Sequence, residues 1–558
     1  MAESSLPDCH AAPPMDAWGF LPFRSSFDIL SSNTTRICKK TLKGLQGTDS
    51  PAVSPMAPIR LLQARNTISR HKQRLQQELV FLMTVENIAW DKLVEVQWTG
   101  EDGVWRTLRA EYYRPGGENR EIWRARATFN PAEDASLPGD IEFSLHYRVL
   151  GEDYWDNNHS RNFVSYADSG LMLDRHAQLQ NVDFNPLLKT GQRVYPITVA
   201  VGQSLKPRQV RVHWTTDNWR STQVTPCFFR KMRWDKARGS RPRNPNRYDT
   251  SLWSGQIKVG DAFRVEYAIA CETDAGTAWD NNFGQNYRAR RQRLKILTLN
   301  LHCYQEENQD AKFSQIARAI DDLDIDVVCL QEVAENWGEG LGDWNSNAAR
   351  IIRERLRRHY HLHTDWSHLG FDRYREGVAI LSRFDFITTD SGYVSSSHDV
   401  YSINSRKVVL VRIEVPYMGA VNVFSAHLSW LSGGFLEQFE NLRGWANQQH
   451  GGHLAASFLC GDFNIKAGEE GYQAVVRTQE YEDQFLAATS RRVFDKVFRQ
   501  ASPNIARELA ADGRIDYIFM QKHGSLRAVS GSELFTDHDR YGRVSDHVGY
   551  LVEFEPNG

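Results

Sequence analysis

Residues 294–302 read LKILTLNLH, and they begin the part of the chain whose fold the sequence decides most clearly. The run is apolar, which is typical of a strand buried on both faces. KFSQIARAIDDL at residues 312–323 follows with apolar side chains at helical spacing, and IDVVCLQEV at 325–333 is another buried-type strand. Strands and helices alternate as far as LVEFEP at residues 551–556. We therefore predict an α/β domain over residues 294–556.

Polar side chains stand where the apolar strands of this domain end. In an α/β fold, such strand ends converge on one crevice. Carboxylates and amides without a cysteine suit a hard cation such as Mg²⁺. Histidines among carboxylates suit phosphoester hydrolysis, which needs an activated water and stabilisation of a highly charged transition state. The side chains concerned are Asn300, Glu332, His427, Asp462, Asn464, Asp516, Asp546 and His547.

The motifs around these residues, LTLNLH, LQEV, FSAHLSW, CGDFN, RIDYIF and SDH, resemble the endonuclease/exonuclease/phosphatase superfamily in their order. The resemblance implies a four-layered α/β sandwich of the deoxyribonuclease and phosphatase type. It also implies a metal-dependent phosphoric ester hydrolase, which is a phosphodiesterase, nuclease or phosphatase. Glu332 would bind Mg²⁺ or Mn²⁺ directly, helped by Asn300 and, through water, by Asp546. His302 stands where one branch carries a second acid, so the number of metal ions stays open.

The same resemblance assigns roles to the other motif residues. Asp462 would activate or orient the attacking water, and Asn464 would position the phosphate. His547, oriented by Asp516, would act as a base or as a donor to the phosphate. His427 would donate to the phosphoryl oxygens.

Four further charged residues of this domain lie next to these motifs, match a family position or precede a strand. Glu376, in REGVAILSR, matches the acidic partner of His427 in the deoxyribonuclease branch. Lys466 follows the GDFN motif, where phosphatase relatives carry a basic residue. Arg406 and Lys407 precede an apolar strand. Each of these three cations could bind a substrate phosphate or could simply be solvated.

The motif WDNN occurs twice before this domain, in YWDNNHSRNF from Tyr154 and in AWDNNFGQNY from Ala278. Around each copy, alternating runs such as LVEVQW and QVRVHWTT indicate antiparallel strands. The two blocks also align outside the motif, which indicates an internal duplication of about 100 residues. We predict two immunoglobulin-like β-sandwich modules, at residues 78–168 and 194–290, with a linker at residues 169–193.

The WDNN residues have two readings. Indole rings stack on sugar rings and Asn amides bond sugar hydroxyls, but a Trp can also fill a core and an Asn can stabilise a turn. The surrounding segments, residues 85–99 and 141–163, resemble carbohydrate-binding module families 21 and 53, which bind starch and glycogen. The resemblance implies that the doubled module strengthens weak α-glucan binding through effective concentration. The implied sugar-binding residues are Trp155, Asn157, Asn158, Asn162, Trp279, Asn281, Asn282 and Asn286.

The N-terminal 77 residues show little periodicity. We predict disorder over residues 1–58, where Ser, Pro and Thr cluster, and a helix over residues 59–77. The excess of basic residues here leaves an organellar (plastid) targeting segment open. Seven cysteines without a CxxC pair suit a reducing compartment, so we predict a cytoplasmic protein. No apolar run approaches the ~18 residues that a membrane span needs.

Charge is divided unevenly along the chain. The net charge of −2 combines about −10 in residues 294–558 with about +8 in residues 1–293. An acidic hydrolase domain lacks the basic footprint of a tight nucleic-acid binder. Charge does not decide between these classes, because a metal can supply positive charge and the basic N-terminal half could itself hold nucleic acid. From the two resemblances, the favoured function is a Mg²⁺-dependent phosphoester hydrolase held on starch or glycogen. The alternatives are a DNA or RNA nuclease with the modules as scaffold, a sphingomyelinase-like phosphodiesterase, and a catalytically inactive glycogen adaptor.

Overall fold

The computed structural model describes residues 57–71, 74–117, 119–131, 136–182, 184–231, 246–451, 453–490 and 513–557. These residues form two β-rich regions followed by a region of sheets and helices. The predicted disorder of residues 1–58 lies outside the described residues, except at its last two positions. Among the described residues, no helix combines the length and apolarity that crossing a membrane requires.

The first β-rich region has two sheets that share one core. Its strands are β1 Ile59–His71, β2 Arg74–Glu86, β3 Lys92–Thr99, β4 Trp105–Arg109, β5 Glu111–Pro115, β6 Arg120–Phe129, β7 Ile141–Val149, β8 Glu152–Asp156, β9 Phe163–Ser165 and β10 Leu171–Leu173. One sheet has the order β10-β1-β2-β6-β5, and the other has the order β4-β3-β7-β8 with β9 also paired to β7. Phe81 from the first sheet packs with Val96 and Phe143 from the second.

The predicted helix over residues 59–77 is wrong, because this segment forms β1 and the start of β2. The two strands pair in antiparallel register from Ile59 opposite Val85 to His71 opposite Arg74, with one bulge after Leu61. Ile59 and Leu61 enter the core of the first β-rich region. Cross-strand pairing and burial outweigh the helical spacing of the apolar residues. The first module therefore begins before residue 78.

The second β-rich region forms one continuous eight-stranded sheet around its own core. Its strands are β11 Leu179–Asn181, β12 Tyr195–Gly202, β13 Gln209–Thr215, β14 Gln223–Lys231, β15 Thr250–Ile257, β16 Arg264–Thr273, β17 Gly276–Asp280 and β18 Tyr287–Arg290. They follow the order β11-β12-β15-β14-β13-β16-β17, with β18 also paired to β16. Val199, Val212 and Tyr267 are completely buried at its centre.

The predicted linker at residues 169–193 contains two short strands that belong to the modules. β10 pairs with β1, and β11 pairs with β12. Residues 174–178, which we call the connector, run between these strands. The backbone N–H of Asp174 donates to Leu62 O in the first module at 2.9 Å, and Gly202 in the second module donates to Gln178 O at 2.8 Å. The connector is therefore fixed to both modules.

The last region contains two sheets and five helices among its described residues. The helices are α1 Gln309–Asp322, α2 Ala348–Glu354, α3 Phe435–Gln448, α4 Glu470–Arg477 and α5 Gln484–Ser490. The strands are β19 Leu294–Asn300, β20 Val327–Gly338, β21 Leu341–Gly342, β22 His361–Gly370, β23 Tyr374–Ser382, β24 Phe386–Tyr393, β25 Lys407–Val415, β26 Gly419–His427, β27 Leu454–Asp462, β28 Tyr481–Asp483, β29 Asp516–Gln521, β30 Leu526–Leu534 and β31 Gly549–Pro556.

Each sheet of this region is mixed, and the two sheets share a core. The orders are β22-β23-β20-β19-β31-β30, with β21 also paired to β20, and β24-β25-β26-β27-β29-β28. Ile296 of the first sheet packs with Val411 and Phe458 of the second. Separate cores join α1 and α2 to the first sheet, and α3 and α4 to the second. The parallel pairs β19–β20 and β26–β27 lie in the middle of their sheets.

Ion pairs join the second β-rich region to the last region. Arg264 lies 3.5 Å and Arg293 3.2 Å from carboxylate oxygens of Glu555 in β31. The guanidinium of Arg291 lies over the ring of Tyr417, 3.5 Å from its centre. We call these contacts the arginine junction. Few residues separate β18 from β19, so the junction holds the two regions together over a short connection.

Candidate functional site

The ends of the central strands meet where the two sheets of the last region adjoin. Asn300 is the last residue of β19, and its Nδ2 donates to Glu332 Oε1 of the same sheet at 2.8 Å. The same Nδ2 donates to Asp462 Oδ2 of the other sheet at 3.1 Å. His427, Asp462 and Asp516 stand side by side in the register of β26, β27 and β29. The sequence-predicted strand ends therefore form one crevice.

A bulge in β20 directs Glu332 into this crevice. The pairing of β20 with β23 shifts register between Leu330 and Val333. Glu332 lies at the bulge with a φ of 48°, in the left-handed region that non-glycine residues rarely adopt. Bulges and such backbone conformations often aim a side chain at functional sites. The local backbone thus favours a functional position for this carboxylate.

Asp516, His547 and Asp462 form a coupled acid–imidazole group. His547 Nδ1 lies 2.7 Å from Asp516 Oδ2, and its Nε2 lies 3.8 Å from Asp462 Oδ2. Burial alone would lower the pKa of His547, but the hydrogen bond to Asp516 and the charges of Asp516, Asp462 and Asp546 raise it to about 10. Burial and the charge of Asp516 raise the pKa of Asp462 to about 7, and the nearby His547 opposes this rise. Asp516 thus holds a protonated His547 next to Asp462.

His427 and Asn464 line the opposite side of Asp462. Asn464 Nδ2 donates to Leu428 O at 2.8 Å and lies 3.2 Å from His427 Nε2. The backbone N–H of Asn464 donates to Asp462 Oδ1 at 2.8 Å. Burial, followed by the charge of Arg406, holds the pKa of His427 well below its usual range. His427 is therefore neutral and can share a hydrogen bond, whereas His547 carries charge.

Glu376 has a different partner from the one predicted. In the register of β22 and β23, Glu376 stands opposite His368, and the two side chains lie 3.4 Å apart. No ion pair between Glu376 and His427 is formed in the described part of the chain. The prediction of this pairing is therefore wrong, because the cross-strand neighbour takes the carboxylate. Glu376 still borders the crevice, since its charge raises the pKa of Glu332.

The structure separates the three basic residues that the sequence left ambiguous. Arg406 is only 8% exposed, and its pKa is lowered by burial and supported by the charges of Glu376, Asp462 and Glu332. Its Nε lies 3.4 Å from Ser429 Oγ, and within the described ranges no carboxylate lies within ion-pair distance of it. Lys407 instead pairs with Asp365, and Lys466 is exposed. A buried cation without an ion-pair partner therefore faces the acidic crevice.

A second polar group borders the crevice, and one of its members was missed. His302 Nδ1 lies 2.8 Å from Glu306 Oε1 and 3.6 Å from Asp546 Oδ1. Glu306 also accepts from the backbone N–H of Asp546 at 3.1 Å and pairs with Lys312. The sequence does place Glu306 four residues after His302, but no strand precedes it to mark it as a strand-end residue.

The donor set fits a divalent cation. Asn300 and Glu332 are brought together as predicted, whereas Asp546 groups with His302 and Glu306. Burial raises the pKa of Glu332, as does a neighbouring carboxylate. A cation beside such carboxylates offsets the cost of burying their charge. Oxygen ligands without a cysteine suit a hard ion.

The two WDNN tryptophans stand half-exposed at equivalent places in the modules. Trp155, near the end of β8, is 50% exposed and stacks on His146 with ring centres 4.3 Å apart. Trp279, near the end of β17, is 49% exposed and packs on His213 at 5.0 Å. Trp155 lines a cavity of about 850 Å³, and Trp279 lines one of about 370 Å³. Neither Trp is a core residue, and each exposes about half of its side chain at a cavity.

The WDNN asparagines build the turn that follows each tryptophan. Asn157 Oδ1 accepts from Ser160 N at 2.9 Å, Asn158 Nδ2 donates to Asn162 O at 2.9 Å, and Asn162 Nδ2 donates to Glu142. The second module repeats these bonds with the same side-chain atoms. There the donors and acceptors are Asn281 with Gly284, Asn282 with Asn286, and Asn286 with Glu266. The asparagines therefore follow the turn-stabilising reading, whereas the sugar-stacking reading of the exposed tryptophans stays a prediction.

The aspartate of each motif, which sequence reasoning passed over, fixes the turn to a neighbouring strand. Asp156 Oδ2 accepts from Leu61 N at 2.9 Å in the first module. Asp280 Oδ2 accepts from Asn181 N at 2.9 Å and from the Tyr287 hydroxyl at 2.7 Å in the second. Burial raises the pKa of Asp280. The repetition of this residue in both motifs was the available signal.

Two protein families match the chain in the order that the sequence indicates. Residues 297–547 match the Endonuclease/Exonuclease/phosphatase family. Residues 63–165 and 180–290 each match the carbohydrate/starch-binding module, family 21. Of the two module families named from the sequence, the match is thus to family 21.

Individual relatives match only parts of the chain. Protein phosphatase 1 regulatory subunit 3B of Bos taurus is 34% identical over 98 residues, which are 18% of this chain and 32% of that protein. Glucoamylase 1 of Rhizopus oryzae is 38% identical over 84 residues, which are 14% of this chain and 13% of that protein. The chain thus spans at most about a third of these relatives.

Solved structures match the last region of the chain. An endonuclease/exonuclease/phosphatase family protein from Leptotrichia buccalis has a TM-score of 0.39 at 26% identity, covering 47% of this chain and 99% of that chain. The mannosyl-6-phosphatase Bt3783 of Bacteroides thetaiotaomicron has a TM-score of 0.34 at 17% identity, with the same coverages.

Proposed function

Because residues 297–547 belong to the Endonuclease/Exonuclease/phosphatase family and residues 63–165 and 180–290 to carbohydrate/starch-binding module family 21, we propose a phosphoester hydrolase that two modules hold on an α-glucan. Its substrate is a phosphate ester on starch or glycogen, or one associated with such a particle. We place it in the cytoplasm, which the free, buried cysteines of the described residues suit.

The main observation in support of a hydrolase is a continuous row of polar contacts across the crevice. Glu332 and Asp462 share the Nδ2 of Asn300, and Asp462 in turn lies beside the His547–Asp516 pair. Such a row places a water-orienting acid, a charged donor and an oxygen-ligand site within one pocket, as phosphoester hydrolysis requires. An inactive adaptor would need none of this arrangement.

Glu332 would hold a divalent cation, which we take to be Mg²⁺ or Mn²⁺. Asn300 would help by orienting Glu332 through its Nδ2 bond, and Asp546 would act from the neighbouring group. When bound, such an ion polarises the phosphoryl oxygens and offsets their charge. Asp462, whose pKa is about 7, exchanges a proton near neutral pH and orients the attacking water. His547 carries its proton at that pH and donates it to the phosphate or the leaving oxygen.

The phosphate itself is bound by the other side of the crevice in this proposal. Neutral His427 and the Asn464 amide border the phosphoryl oxygens in this proposal. Asn464 Nδ2 now donates to Leu428 O and to His427 Nε2, and a phosphoryl oxygen would replace one of these acceptors. The buried guanidinium of Arg406 adds a cation where negative charge gathers, and a guanidinium suits the oxygens of a phosphate. Glu376 acts through His368 and has no direct place in the reaction.

The architecture behind this function is also inferred in its finer form. The shared core of the paired sheets supports a four-layered α/β sandwich for residues 294–556. The β-rich regions support immunoglobulin-like sandwiches at residues 59–173 and 179–290, with the connector between them.

We expect glucan binding to depend on the two exposed tryptophans. The full-length variant with Trp155→Ala and Trp279→Ala should lose up to ~10²-fold in apparent affinity for amylose or glycogen, since the two weak sites act together. Co-sedimentation measures the loss, and each single variant should lose less. Turnover of a small soluble phosphoester should stay unchanged.

The matched control is Leu150→Ala, which removes an exposed apolar side chain of the first module outside both cavities. It should sediment as the parent does. Undiminished sedimentation of the double variant would contradict the sugar-platform role of these tryptophans.

The reaction itself is tested with a panel of substrates. Full-length protein with Mg²⁺, Mn²⁺ or EDTA is assayed on phosphorylated glucan, a soluble aryl phosphate, DNA, RNA and sphingomyelin. We expect EDTA-sensitive phosphate release, fastest from the phosphorylated glucan. Faster cleavage of DNA or RNA, indifferent to added glycogen, would establish a nuclease instead. No turnover of any substrate by folded protein would establish the adaptor.

A further inference from the structure

The two tryptophan cavities meet at the connector. Arg175 and His176 are the residues that line both the cavity of Trp155 and the cavity of Trp279. Both side chains are exposed. Asp174, immediately before them, is fixed by its ion pair with Arg60 at 2.7 Å. The cavities are therefore adjacent, and their shared wall is a basic segment held in place from both modules.

The guanidinium of Arg175 in this wall is hydrogen-bonded to two imidazoles. Arg175 Nη2 lies 2.6 Å from His159 Nε2, and Arg175 Nε donates to His176 Nε2 at 3.0 Å. A guanidinium has no acceptor, so both imidazole nitrogens accept. Across the described ranges, no carboxylate lies within ion-pair distance of Arg175, and Arg161 in the same cavity has none either. The positive charge of Arg175 is thus not neutralised by the protein.

The aspartates of the two cavities are already engaged. Asp156 accepts from the backbone of Leu61, Asp174 pairs with Arg60, and half-buried Asp280 accepts from three donors. What remains for a ligand is Arg175 Nη1 and the imidazole N–H groups, between two aromatic platforms. N–H donors beside an unneutralised guanidinium suit a phosphate, while the platforms suit sugar rings.

We propose that the connector binds a phosphate carried by the glucan, so that the tandem modules select phosphorylated α-glucan over the plain polymer. One glucan chain crosses both cavities, its rings stacked on Trp155 and Trp279 and its phosphate ester on Arg175. This inference rests on the proposed glucan binding, and it names the substrate class: the modules recognise the same phosphate esters that the hydrolase domain attacks.

The test measures binding of the full-length protein to amylopectin with and without glucose 6-phosphate esters, by co-sedimentation at low salt with EDTA. The parent should bind the phosphorylated polymer on the order of 10-fold more tightly, as a charge-assisted hydrogen bond supplies. Arg175→Ala should remove this preference and leave binding to the plain polymer intact. Arg175→Lys, which keeps a charge but loses the fork, should keep part of the preference.

The control variant is Arg193→Ala, which removes one exposed, ion-paired arginine outside both cavities and changes the net charge equally. It should keep the full preference. Equal binding of both polymers by the parent would overturn the inference, as would equal loss in the two alanine variants. Failure of the parent to bind either polymer would instead refute glucan targeting, and this inference with it.

A final arm separates a phosphorylated glucan from free phosphate. Inorganic phosphate, titrated by calorimetry, should bind at least ~10-fold more weakly than the phosphorylated polymer, because it lacks the rings that stack on the tryptophans. Equal affinity for the two would overturn the glucan reading of this site.

Discussion

Glu332→Gln is expected to lower phosphoester turnover by about 10³-fold. The change keeps the shape of the side chain and its contact with Asn300, but it removes the negative charge that would hold the cation. Loss of an anionic ligand withdraws several kcal/mol of transition-state stabilisation, and about 4 kcal/mol corresponds to this factor. The measurement is kcat/KM on a soluble phosphoester, together with Mn²⁺ affinity from calorimetry. Both quantities should fall.

The control for this variant is Glu335→Gln in the same strand. Glu335 is also buried, but it pairs with Arg375. Its replacement tests the effect of losing a buried carboxylate from β20 without touching the crevice, and kcat/KM should stay within a few-fold of the parent. Normal turnover of the Glu332→Gln protein would refute the site assignment.

His547→Ala is expected to lower turnover by about 10³-fold to 10⁴-fold without lowering the affinity for the metal ion. The imidazolium is a charged donor 3.8 Å from Asp462, and loss of a general acid or an electrostatic donor costs this much. The pKa of about 10 means that His547 stays protonated through neutral pH, so its loss acts at every pH below that value. Asp516→Asn should cause a smaller loss, because the ring keeps its place but loses its supporting charge.

The control is His363→Ala, which removes a half-buried histidine whose Nε2 lies 3.0 Å from the backbone oxygen of Asp390. Its turnover should match the parent. Calorimetry with Mn²⁺ distinguishes two roles of His547, as a proton donor or as a metal ligand. An unchanged Mn²⁺ affinity of the variant supports the proton-donor role. A fall in metal affinity as large as the fall in turnover would make His547 a ligand and contradict this role.

The α/β region was predictable because its signals are local. In KFSQIARAIDDL the apolar spacing is helical, and α1 forms there. In LKILTLN most residues are apolar, and β19 forms. The segment over residues 59–77 has a helical spacing too, yet it forms strands. Its pairing partner and the core that receives Ile59 lie elsewhere in the chain, and no local pattern encodes them.

The site residues divide in the same way. Asn300, Asp462 and Asp516 were identifiable because each ends or begins an apolar strand, and strand ends converge. The pairing of Glu376 with His368 depends on the register of two strands, which the sequence leaves undetermined. Arg406 is buried beside Ser429, which lies 23 residues further along the chain, and no local pattern encodes this contact. Roles assigned by family resemblance stay predictions until the variants above are measured.

In the proposed function, the arginine junction determines how a glucan-bound enzyme would move along its polymer. A flexible tether would let one bound molecule sweep a volume around its anchor, with a reach set by linker length. Here Arg264, Arg293 and Glu555 fix the hydrolase domain against the second module. Each binding event therefore presents the active site at one fixed offset from the anchored glucan. Progress over a particle depends on release and rebinding, so tighter sugar binding slows the enzyme once the nearest ester has been cleaved.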